Sequence, residues 1–228
     1  IARSYMAGMT GVIAPSRQTF DTLTKYKVSA PIEIIPTGVN VQHTEQEDKS
    51  TYLREKLGLD SQTPVVLSLG RVAFEKNIDM ALTVFAEVLD QVPDAMFVIV
   101  GDGPAMSALK DHVRSLEIAD HVIFTGEVDH QEVYGYYKLA DVFLSASVSE
   151  TQGLTFIEAM TANTPVVAMR SPYLETVVLD ENIGSLADDS YDLLAPLVMY
   201  LNAKKQQQVI GNPTTRQKVL HDIDEVTF

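Results

Sequence analysis

The chain has no cysteine. That excludes a disulfide framework and any thiolate metal site, and it fits a reducing compartment. No apolar run approaches the ~20 residues needed to cross a bilayer. A secretory leader is also missing from the start, and Ile1 stands where an initiator Met would be, which implies a piece of a longer or processed chain. Basic residues are scarce: 17 Lys and Arg face 31 Asp and Glu, for a net charge of −14. Such a field repels nucleic acid and anionic membranes, so an anionic ligand needs a few locally placed cations to hold it. The five histidines, His43, His112, His121, His130 and His221, show no metal-ligand spacing. No metal is expected, and surface or structural roles suit each of them.

What is present is enough apolar residue, 46% of 228, for a sizeable core in one large domain or one domain plus part of a second. From residue 64 onward short β-branched runs alternate with longer helical patterns. The runs are PVVLSL (64–69), MFVIV (96–100), HVIF (121–124), DVFLSA (141–146) and PVVAM (165–169). Between them, helices are predicted over 77–92, 104–116, 130–139 and 155–162. The first is the clearest, with Ile78, Leu82, Phe85 and Leu89 on one face, Asn77 as N-cap and Asp79 in the first turn. Strands and helices in this rhythm predict βαβ units, a Rossmann-like parallel sheet with helices on both faces. Ahead of it, GVIAPS (11–16) and IEIIPTGVN (32–40) read as strands around a helical QTFDTLTKY, and 41–51 reads as a polar connector. Residues 190–228 read as mostly helical, broken at Gly211-Asn212-Pro213.

The unusual residues fall just beyond the carboxyl ends of the predicted strands, where open α/β sheets bind ligands. Gly70-Arg71, Gly101-Asp102-Gly103-Pro104, Gly126-Glu127 and Glu150–Gly153 are four such groups. In GRVAFEKN (70–77), Gly70 leaves room for a ligand while Arg71 and Lys76 supply two cations ahead of a helix N terminus. The plainer reading makes Glu75 and Lys76 a solvated surface pair. The GDGP turn lacks the third glycine of a dinucleotide fingerprint, and taken alone it reads better as a turn with Pro104 at the first helical position. In SVSETQGLTFIEAM (147–160), Thr155-x-x-Glu158 fits a capping box, whereas Glu150 sits in a loop with no capping role. Amide donors at Gly153 and Leu154, flanked by two carboxylates, suit a ligand with both phosphates and sugar hydroxyls, a sugar nucleotide.

The succession GR-x4-KN, GDGP, TGEV, SxSE-x7-E-AM and TPVVA resembles the donor-binding domain of the retaining GT4 glycosyltransferases of GT-B fold, over about residues 11–190. The variant SETQGLTFIEAM with IPTGV upstream is most similar to bacterial diacylglycerol glucosyltransferases. The resemblance implies a nucleotide-sugar donor, UDP-glucose, rather than a cofactor. It implies that Arg71 and Lys76 bind the donor diphosphate and neutralise the leaving group, and that Glu150 contacts the transferred sugar. Glu158 would hold the ribose, Gly153, Leu154 and Thr155 would offer amides to the phosphates, and Gly70 would admit the ligand. Gly126, Glu127 and Val128 would lie beside the nucleobase. It further implies a cytoplasmic protein, peripheral on the inner face of the membrane, with a lipid acceptor bound through an N-terminal domain. On this basis residues 1–40 are the remnant of that domain and a hinge, 41–210 the nucleotide-sugar-binding domain, and 211–228 a C-terminal helix. A full acceptor domain needs roughly 170 further residues, so the chain is expected to bind donor without turning it over. Asn163, Ser171-Pro172 and DENIGSL depart from the family's glycines and bear on the shape of the sugar pocket. Two other readings stand beside this one: a non-catalytic nucleotide-sugar-binding domain, and a dinucleotide-binding oxidoreductase domain.

Overall fold

The computed structural model describes residues 6, 8–35, 48–148 and 153–225. Two short strands, β1 (Val12–Ala14) and β2 (Ile32–Ile34), pair in parallel around helix α1 (Arg17–Lys25). Ser16 caps α1, its Oγ accepting from the Thr19 amide at 3.2 Å. These strands form a sheet of their own, separate from the six-stranded sheet that follows.

The large sheet holds β3 (Val65–Leu69), β4 (Met96–Val100), β5 (Val122–Gly126), β6 (Val142–Ser145), β7 (Val166–Met169) and β8 (Gly184–Ala187). All five pairings are parallel, in the order β5-β4-β3-β6-β7-β8. The order reverses between β3 and β6, the switch point of a doubly wound sheet, and a crevice opens there at the carboxyl ends. The period-2 alternation of strands buried on both faces sorts the core into two layers. Val66, Phe97, Ile99, Val142 and Leu144 pack under α3 (Ile78–Leu89), α4 (Met106–Ser115) and α8 (Leu194–Lys205). Val65, Leu67, Val98, Phe143 and Val166 pack under α2 (Ser50–Lys56), α5 (His130–Leu139), α6 (Leu154–Thr161), α7 (Leu174–Val177) and α9 (Pro213–Glu225). The expected Rossmann-like sheet with helices on both faces is what forms.

Several local expectations need correction. Asn77 stands at the N-cap position of α3, but in the left-handed region (φ 50°) and without a capping bond. Its Nδ2 instead donates to the Ala146 carbonyl at 3.2 Å, tying the loop after β3 to the end of β6. Pro104 is not the first residue of its helix: α4 begins at Met106, and Pro104 lies in the preceding turn. Helix α2 lies partly inside the expected connector, and β8 and α7 were not expected at all. The strand after His121 runs on through Thr125 to Gly126. No described helix is long and apolar enough to cross a membrane.

Candidate functional site

At the switch point a cavity of about 330 Å³ opens between the loop after β3 and the start of α6. Gly70, Arg71 and Lys76 line one side and Gly153, Leu154 and Thr155 the other, with Ile99 and Phe143 among the apolar residues beneath. Among the described residues that line it, the charged ones are Arg71 and Lys76. The first amides of α6 lack intrahelical acceptors, so they and the helix dipole favour an anion at the same place. Gly153 adopts φ 63°, and a Cβ there would meet Phe156 Cδ2 at 2.5 Å. Glycine is therefore what lets the chain turn into α6 this close to the core. Arg71 is exposed and reaches Glu75 Oε1 at 3.7 Å. Glu75, which the plainer reading pairs with Lys76, is thus within ion-pair reach of Arg71.

The glycines of the GDGP turn serve the protein's own backbone. A Cβ on Gly101 would stand 2.0 Å from the Gly70 carbonyl oxygen, and one on Gly103 2.3 Å from that of Val72. The Gly70 amide donates to Val100 O at 2.9 Å, the Val72 amide to Asp102 O at 2.9 Å and the Gly101 amide to Gly126 O at 2.9 Å. The loops after β3, β4 and β5 are thereby laced into one rim, which fixes where Arg71 begins. This close lacing, and not a pyrophosphate approach, is what the two glycines permit.

The structure thus gathers Gly70, Arg71, Lys76, Gly153, Leu154 and Thr155 around one cavity. It sets Gly126, Glu127, Val128 and Glu158 outside that lining: Gly126 ends β5 and the next two follow it, with Val128 packed partly on the core. Glu150 lies outside the described residues. Glu158 is not part of a capping box, because α6 starts at Leu154 with Gly153 as its N-cap, so Thr155 is already the second helical residue. Its carboxylate instead accepts a bond from Tyr137 Oη at 2.9 Å. That partnership was missed, and α5 offered no signal for it beyond an inward tyrosine. Burial pushes the Tyr137 phenol well above its usual range, with the nearby Glu158 charge and its hydrogen bond adding to the shift. Asn163 does not shape the cavity either. It sits in a left-handed turn (φ 67°) at the far end of α6, where its Oδ1 accepts from Arg216. Asn182 and Gly184 of DENIGSL likewise lie at the amino edge of the sheet, where a Cβ on Gly184 would meet Val166 O at 2.1 Å. Glu175, in the first turn of α7, reaches Arg170 at 3.4 Å.

A parallel sheet of reversed strand order, with cations and a helix N terminus meeting over its switch point, is a Rossmann-like architecture of the GT-B kind with a cavity suited to an anion. The family of glycosyl transferases group 1 matches residues 49–214, and the chain belongs to it. It is 38% identical over 232 residues to an alpha-monoglucosyldiacylglycerol synthase from Streptococcus pneumoniae, covering 100% of this chain and 52% of that protein. With a protein of the same name from Acholeplasma laidlawii it shares 29% identity over 217 residues, covering 92% of this chain and 53% of the other. The chain thus spans about half the length of these relatives. A sucrose-phosphate synthase structure from Thermosynechococcus elongatus superposes with a TM-score of 0.79 at 25% identity, over 99% of this chain and 58% of that one.

Proposed function

We propose that this chain is the donor-binding half of a retaining glucosyltransferase that moves glucose from UDP-glucose to a lipid acceptor of the diacylglycerol type. The observation that carries the reading is the pairing of Arg71 and Lys76 with the α6 N terminus across one cavity, in a protein of net charge −14. The diphosphate sits there. Glu158 takes the ribose, Gly126–Val128 flank the nucleobase, and Glu150 takes the transferred sugar. As the glycosidic bond breaks, the leaving UDP gains negative charge, and fixed cations stabilise that charge without a metal ion. The two glutamates are not a glycosidase pair, since such a pair must flank the scissile bond. The acceptor is held by a part of the protein beyond this donor half. The enzyme works in the cytoplasm, against the inner face of the membrane. The two relatives named for glucosyldiacylglycerol support the lipid acceptor and the glucose.

An oxidoreductase reading has little support, because the GDGP glycines are occupied by the backbones of Gly70 and Val72. Titration calorimetry tests the proposal. UDP should release heat on binding, and Arg71→Ala and Lys76→Ala should each weaken it. No heat at millimolar UDP, or unchanged affinity in both variants, would remove the diphosphate assignment. A donor screen with UDP-glucose, UDP-galactose and UDP-N-acetylglucosamine separates the sugars.

A further inference from the structure

Glu158 and Tyr137 come together across two helices. Glu158 is half-buried on α6, and the fully buried Tyr137 on α5 donates its Oη to Glu158 Oε2 at 2.9 Å. The tyrosine has no freedom to be elsewhere. Its ring packs on Phe143 of β6 at 5.6 Å between centroids, and Phe143 in turn meets Phe156 of α6 edge-on at 5.8 Å. Its backbone carbonyl accepts from Thr164 Oγ1 at 2.7 Å. Phe143 also lines the cavity, and Phe156 is the side chain against which Gly153 turns. One aromatic stack therefore ties the Tyr137 hydroxyl to the frame of the donor site. A glutamate left alone on a helix would have to freeze three torsions on meeting a ligand, at a cost in rotamer entropy. Here one carboxylate oxygen is already anchored, and Oε1 makes no hydrogen bond to the described residues. The phenol stays a donor at neutral pH, since burial pushes its titration well above the usual range.

We infer that Tyr137 is a positioning residue for the nucleotide's sugar: it orients the Glu158 carboxylate so that the other oxygen is presented to the ribose hydroxyls. This rests on the proposed assignment of Glu158 to the ribose. Tyr137 touches no ligand, so its effect should appear in discrimination between nucleotides and not in the diphosphate contacts.

Calorimetry of UDP and 2′,3′-dideoxy-UDP against the wild-type chain, Tyr137→Phe and Glu158→Gln tests it. The wild type should prefer UDP by about tenfold or more, the scale of a hydrogen bond to a charged group. Glu158→Gln should lose most of that preference. Tyr137→Phe should lose a comparable share while its affinity for dideoxy-UDP stays at the wild-type value. A merely structural role would lower the melting temperature and weaken both ligands alike, and that result overturns the inference. So does a Tyr137→Phe variant that keeps the full preference while Glu158→Gln loses it. If the wild type itself shows no preference, or Glu158→Gln keeps it, the ribose assignment falls and the inference with it. Should Tyr137→Phe fail to fold, Glu158→Asp carries the test. It keeps the charge but draws the carboxylate back from the phenol, and an undiminished preference in it overturns the inference.

Discussion

Arg71 owes little to its partner in the fold. Its exposed contact with Glu75 at 3.7 Å contributes on the order of 0–1 kcal/mol, as surface pairs do. Removing the cation should therefore leave stability almost untouched while taking a charge-assisted bond from the diphosphate. Arg71→Ala and Lys76→Ala are each expected to raise the Kd for UDP by about tenfold or more, with unchanged melting curves. Gly101 is the opposite case. It holds φ 124°, and a Cβ would stand 2.0 Å from the Gly70 carbonyl oxygen. Gly101→Ala should destabilise the fold by about 2–4 kcal/mol and displace the loop that starts Arg71, so urea midpoint and UDP affinity should fall together. At this scale the sequence is legible where chemistry is local. Two cations beside a glycine at a strand's end could be read directly. The hydrogen-bond partner of Glu158 could not, because the helix starts two residues earlier than a Thr155 capping box requires and the carboxylate meets Tyr137 instead. Nor could the inverted role of Asn77, whose partner is 69 positions away.

Elements were legible in proportion to their apolar content. β3, β4, β6 and β7 are β-branched or aromatic runs buried on both faces and stand out at once. β8 is Gly-Ser-Leu-Ala, and it joins the sheet because Gly184 lets the chain approach Val166, a reason that no periodicity carries. Helix α2 was hidden because Leu53 is its one buried residue. The amino edge of the sheet is held by buried polar groups that belong to no motif. The buried Tyr200 of α8 donates Oη to Glu181 O at 2.6 Å, and burial is the main cause that pushes its phenol up to about 12. The unfolded chain ionises near 10, so this stabilisation is complete below that pH and is lost as pH climbs through 12. Arg216, pushed down to about 10 by burial, acts with the opposite sign in the same window. Tyr200→Phe should consequently flatten the alkaline fall in stability, measured as denaturant midpoints at pH 9 and about 11.5 relative to wild type.

The whole molecule sets a balance between a long-range field and a local site. Its −14 charge works against a nucleotide diphosphate, while two cations and a helix end work for it at contact. The Debye length is about 8 Å at physiological salt. Acidic side chains farther than that from the cavity are largely screened, whereas Arg71 and Lys76 line it. Binding should be measurable but modest, with a Kd for UDP on the order of 0.1–1 mM, or about 4–5.5 kcal/mol. Transfer makes a further demand. The acceptor hydroxyl must be held within reach of the sugar, and such positioning contributes roughly 7–11 kcal/mol to catalysis. The relatives are about twice as long as this chain, and the proposed reading puts the acceptor contacts in the length that this chain does not match. The 228-residue chain should therefore bind UDP and UDP-glucose yet form no glucosyl-lipid from UDP-glucose and diacylglycerol in mixed micelles. Donor hydrolysis in the same reactions should stay at the rate seen without protein. Robust glucolipid formation by the isolated chain would show that the acceptor site lies within these residues, and the assignment of the two halves would have to be redrawn.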